Sequence, residues 1–118
     1  MMSESDSNII TSLEKLRTVG GEALVRKMIG LFLEHAPARV EAARAALAKA
    51  RWNDVERPAH SLKSSAGTLG LLRIQALAAR VEDLSSRGEA GLLPALLDEL
   101  GKAVEASRPL LQAQLPPP

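Results

Sequence analysis

The sequence predicts an all-α fold, an up-and-down antiparallel four-helix bundle with one or two accessory helices, and three observations predict it. Leucine and alanine supply 39 of the 118 residues, while strand-favouring aromatic residues are sparse, with one Phe, one Trp and no Tyr. Apolar residues recur at helical spacing along almost the whole chain. Only a few residues separate successive periodic segments, and connections that short favour antiparallel neighbours. A chain of this length supports one core without disulfides and is too short for two.

Each element can be justified in order. Residues 1–8, "MMSESDSN", are acidic and polar and are expected to be a disordered lead-in to a single domain over residues 9–115, with the prolines at 116–118 a frayed tail. Ile9, Ile10, Leu13 and Leu16 share one face of a short helix that ends at "VGG". A second helix, from about Gly21 to His35, turns Leu24, Met28, Leu31 and Phe32 inward. It is expected to stop at "HAP", because Pro37 suits the first turn of a following helix better than the interior of this one. That third helix runs to about Arg51 with Val40, Ala43, Leu47 and Ala50 inward. Asn53 or Asp54 is the expected N-cap of a fourth, in which Pro58 is expected to separate a first turn at "NDVE". A fifth helix, from about Leu72 to Arg87, buries Ile74, Leu77, Ala78, Val81 and Leu84, with Gly88 as a left-handed cap. The sixth begins near Gly91 and aligns Leu93, Leu96, Leu97, Leu100 and Val104, with Pro109 expected to kink or stop it.

Composition removes several classes of function. There is no cysteine, which excludes disulfides, thiolate metal sites and cysteine nucleophiles. Two histidines far apart leave too few of the usual ligands for a metal site. A formal charge of +1, from 15 basic and 14 acidic residues, gives no bulk field toward nucleic acid or an anionic membrane, and stacking aromatics are lacking. No apolar run approaches the roughly 18 residues of a membrane span. The expectation is a cytoplasmic monomer, and the opening Met and proline-rich end point to a free-standing protein. No glycine-rich phosphate loop is present, so ATP chemistry is expected elsewhere.

The stretch "AHSLKSSAGTLG", Ala59 to Gly70, sets a histidine among small side chains. On a helical wheel Val55, Ala59, Leu62, Ala66 and Leu69 fall in one core-facing sector, and His60 lies about 140° from its centre. Lys63, Ser64 and Gly67 share the side of His60, one and two turns along. Imidazoles in water titrate near pH 6.5, so at neutral pH they offer a nitrogen lone pair. A phosphoryl group is the electrophile that suits these surroundings, because an ammonium one turn away can stabilise its oxygens. Ser64 and Gly67 would leave room for another macromolecule to bring its reactive group to the ring.

These residues, followed by "LLRIQALAARVEDL", resemble the signature of histidine-containing phosphotransfer (HPt) domains, close to H-x-L-K-G-x-x-x-x-x-G. His60, Leu62, Lys63 and Gly70 match position by position, and Gly67 and Glu82 fall where such sequences often place a glycine and a glutamate. Ser64 departs from the usual glycine. The likeness is strongest from about Phe32 to Gly88. It implies a four-helix bundle with accessory helices whose histidine takes a phosphoryl group from a receiver-domain aspartate and hands it to another. The partners implied are receiver domains of response regulators and hybrid histidine kinases, with magnesium belonging to the receiver and no cofactor on this chain.

Other readings stand beside this one. The rival function is a helical adaptor that binds signalling partners without chemistry, against which the retention of both His60 and Lys63 counts. Glu82 is expected to support the fold through a salt bridge or cap hydrogen bond, and Gly70 is expected to be structural as well. Leu71 is either a hydrophobic contact for a partner on the His60 side or a buried start to the next helix. His35 is expected to serve a helix end and not chemistry, and Trp52 to cover one end of the core.

Overall fold

The computed structural model describes residues 4–115, with side chains from Ser7 onward. It contains four helices and, among the described residues, no strand: α1 (Glu4–Ala48), α2 (Trp52–Leu69), α3 (Leu72–Ser86) and α4 (Leu93–Ala113). Each helix packs on its neighbour in the chain, and α4 closes the ring against α1. Leu62, Leu93, Leu97 and Leu100 lie at the centre, none more than 1% exposed. Arg44 of α1 crosses to α4, where its guanidinium donates to the Leu97 carbonyl and lies over Gly101, whose missing Cβ makes room for it.

The first third of the chain departs most from expectation. Where three helices were expected, two helical arms meet at Gly21: the break expected at "VGG" is present, and the one expected at Pro37 is not. A straight 45-residue helix would run about 68 Å, whereas the molecule's longest dimension is 43 Å. Gly21, at φ 68° and ψ −166°, supplies the bend and divides α1 into arms 4–20 and 22–48. Pro37 does not end the helix. Val25, Ile29, Phe32, Ala36, Val40 and Ala43 form one unbroken buried stripe through it, and their burial, at roughly 1.5–3 kcal/mol for each large side chain, outweighs the roughly 3 kcal/mol of an interior proline. That stripe is also rotated by one residue from the expected one: Leu24 and Met28 are half-buried and Leu31 is exposed.

The N-terminal arm begins at Glu4, so residues 4–8, expected as a disordered lead-in, are helical. Ile9 and Leu13 anchor the arm in the core, and the Asn8 backbone lies against Gly70 at the turn between α2 and α3. The expected disorder of residues 1–3 and fraying of 116–118 lie outside the described residues.

The remaining helices follow the sequence pattern closely. α2 is continuous through Pro58 because Val55 and Ala59, both fully buried, hold the turns on either side. Its N-cap is Arg51, without a side-chain cap bond, and neither Asn53 nor Asp54 takes that role. α4 likewise continues through Pro109, with buried Leu111 holding its last turn. Three turns close with the same pair of backbone bonds and a left-handed residue. These are Ala50 (φ 53°), Gly70 (φ 73°) and Gly88 (φ 68°), with the outer bonds running from Arg51 N to Ala46 O, Leu71 N to Ala66 O and Glu89 N to Leu84 O. Trp52 opens α2, packs half-buried on the core and lies against Gly88.

Candidate functional site

Val55, Ala59, Leu62, Ala66 and Leu69 are all buried, so α2 is held with one face inward and His60 on the other. The His60 side chain is 63% exposed. Its ring does not stand alone, because α3 runs alongside and, with Val81 fully buried, presents Glu82 to α2. Glu82 lies between two partners: its Oε2 meets His60 Nδ1 and its Oε1 accepts from Lys63 Nζ.

Protonation follows from this arrangement. Glu82 is only 18% exposed, and its pKa is lowered, above all by the hydrogen bond from Lys63, which together with the bond to His60 outweighs the cost of burial. Glu82 is therefore an ionised carboxylate at neutral pH. An ionised carboxylate can only accept hydrogen bonds, so Nδ1 must carry the proton and donate it. In the neutral ring that leaves the lone pair on Nε2. The nitrogen farther from the backbone is thus the one with a lone pair to offer an electrophile, and the carboxylate behind the ring would stabilise positive charge developing on the imidazole. Lys63 puts an ammonium on the same face, one turn from the histidine.

The other residues of the expected site are divided. Ser64 is exposed beside His60. Gly67 is half-buried and not an open floor: a Cβ there would sit 2.8 Å from Nε2 of Gln75, whose side chain reaches over from α3. Gln75 is the residue the sequence reading missed, and its signal was a position two helical turns before Glu82 on one face of α3. Gly70 is structural, since its φ of 73° and the closeness of the Asn8 backbone both exclude a side chain. Leu71 must be corrected as a partner contact. It caps the start of α3 and is 6% exposed within the core, because the tight turn at Gly70 points it inward.

His35 sits within α1 and not at a helix end, exposed on the rim of a groove shared with Arg39, Ser64 and Ser65. Asn53, Glu56, Arg57 and Ser61 line a shallow depression together with His60 and Glu82. Among the described residues no three His, Asp or Glu side chains come together as a metal would require.

A helical bundle with a solvent-facing imidazole backed by a carboxylate and flanked by an ammonium points to the class of histidine phosphotransfer domains. Residues 27–109 match the family model of the Hpt domain, and the chain belongs to that family. Among solved structures it is similar to histidine-containing phosphotransfer protein B (HptB) from Pseudomonas aeruginosa PAO1, with a TM-score of 0.82 over 88% of this chain and 90% of that one. The two are 21% identical, and the likeness is one of fold. Comparison with curated proteins gave no match.

Proposed function

We propose that His60 accepts a phosphoryl group from a receiver-domain aspartate and passes it to the aspartate of another receiver. The observation that carries this reading is the exposed ring tied at Nδ1 to Glu82, which leaves Nε2 free toward solvent. In the forward step Nε2 attacks phosphorus, the Nε2–P bond forms, the bond from phosphorus to the aspartyl oxygen breaks, and the carboxylate leaves with the electron pair. The ring keeps its Nδ1 proton, so the phosphorylated imidazole is cationic and faces the Glu82 carboxylate. Lys63 offers its ammonium to the phosphoryl oxygens. Return of the group to a second aspartate reverses these changes.

The partners are receiver domains of response regulators and hybrid kinases, which bring their own magnesium. The chain acts as a cytoplasmic monomer and a carrier without an ATP site. Among the described residues no helix is long and apolar enough to cross a membrane. Incubation with phosphorylated receivers of the source organism should give an acid-labile, base-stable label on the chain, and His60→Gln should abolish it. A label that survives His60→Gln would place the chemistry on another residue.

A further inference from the structure

Lys63 is already engaged by Glu82 in the resting site, and the charge balance there leaves work for another cation. The face around His60 carries two carboxylates, Glu82 from α3 and Glu56 from α2, which share the depression beside the ring. Against them stands the ammonium of Lys63. Loading makes the ring cationic, so the ring and Lys63 together offset Glu56 and Glu82, and the charge of the phosphoryl oxygens, up to about two negative charges, is left without a cation of its own. Arg57 changes that balance. It lines the same depression as His60, is exposed, and among the described residues makes no hydrogen bond or ion pair.

Its position on α2 is also suitable. At about 100° per residue Arg57 lies some 60° to one side of His60, and Lys63 some 60° to the other. Both are three residues away, a spacing that sets β-carbons about 5–6 Å apart. Lys63 is on the side facing α3, where Glu82 holds it. Arg57 is on the open side, with nothing to hold it. A guanidinium binds two phosphoryl oxygens at once through its planar fork, whereas an ammonium acts as a point charge.

We propose that Arg57 is a second cation for the phosphoryl group on His60, gripping its oxygens from the side opposite Lys63. This rests on the reading of His60 as the phosphoacceptor. Arg57 gains its partner only when the ring is loaded, so its charge favours the phosphorylated state over the free one. A cation held at the phosphoryl oxygens also favours their doubly ionised form.

The full chain, phosphorylated by phosphoramidate in the absence of any receiver, tests this by ³¹P NMR. The pH midpoint of the second phosphoryl ionisation is expected to rise by about half a unit or more in Arg57→Ala, with Arg57→Lys between the two. Arg73→Ala, at the far end of α3, is expected to leave it in place. An unchanged midpoint in Arg57→Ala overturns the proposal, and if that variant is also slow in receiving phosphate from a receiver, Arg57 serves docking instead. Failure of the unaltered chain to give a phosphohistidine signal that His60→Gln removes would sink the phosphoacceptor reading itself and Arg57 with it.

Discussion

Ala50 is the residue whose backbone pays most visibly for its place. Its φ of 53° is left-handed, forced by the bonds from Ala50 N to Leu47 O and from Arg51 N to Ala46 O that end α1. A Cβ in that region costs about 1–2 kcal/mol, and glycine avoids the cost while giving back part of it as chain entropy. Ala50→Gly should therefore stabilise the protein by about 0.5–1 kcal/mol, read as a higher urea midpoint at unchanged slope. Gly70 is the opposite case. It has the same backbone geometry, but the Asn8 backbone fills the space a side chain would need. Gly70→Ala should cost about 2 kcal/mol or more in the same measurement, since strain and the displaced N-terminal arm add together.

At the scale of elements, Glu82 is the polar tie between α2 and α3. Its pKa is held below the ordinary value, with the Lys63 hydrogen bond the largest cause. A lowered carboxylate pKa contributes stability that is fully present above the unfolded value, about 4.3, and is lost as pH falls through the folded value. Glu82→Gln should thus unfold more easily than the parent at pH 7, by about 1 kcal/mol, and the gap should narrow below about pH 4. Urea unfolding across that pH range checks it; a constant gap would mean that the carboxylate's charge does not matter. The helices this tie joins were the legible part of the sequence. Every inward residue expected in α2 is buried, as are Ile74, Leu77, Ala78 and Val81 of α3 and the five expected in α4. His60, Lys63 and Ser64 were legible on the same wheel, because an outward face follows from an inward one. What a wheel of one helix cannot give is what the next helix lays against it. Glu82 on His60, and Gln75 over Gly67, depend on the pairing of α2 with α3. α1 was misread for a related reason. Splitting it at Pro37 concealed that Val25, Ile29 and Phe32 continue into Ala36 and Val40 as one stripe.

For the whole molecule, α4 closes against both α1 and α3 around a single hydrophobic core, so unfolding is expected as one cooperative transition. Leu100 is fully buried at that junction, and Leu100→Ala should cost about 2–5 kcal/mol and lower Tm in a single transition. His60→Ala should melt close to the parent, within about 1 kcal/mol, because its ring is mostly in water and contributes one exposed contact to Glu82. Calorimetry of the two variants separates what holds the bundle from what the bundle presents. The ring proposed to take the load stands on the outside of a packed helix with 63% of its side chain open. Any phosphate parked there would be as reachable by a water molecule as by a courier's next recipient. Its safekeeping would fall to the P–N bond's own reluctance to hydrolyse, which would turn the carrier into a clock: a message not delivered within that bond's lifetime would be erased.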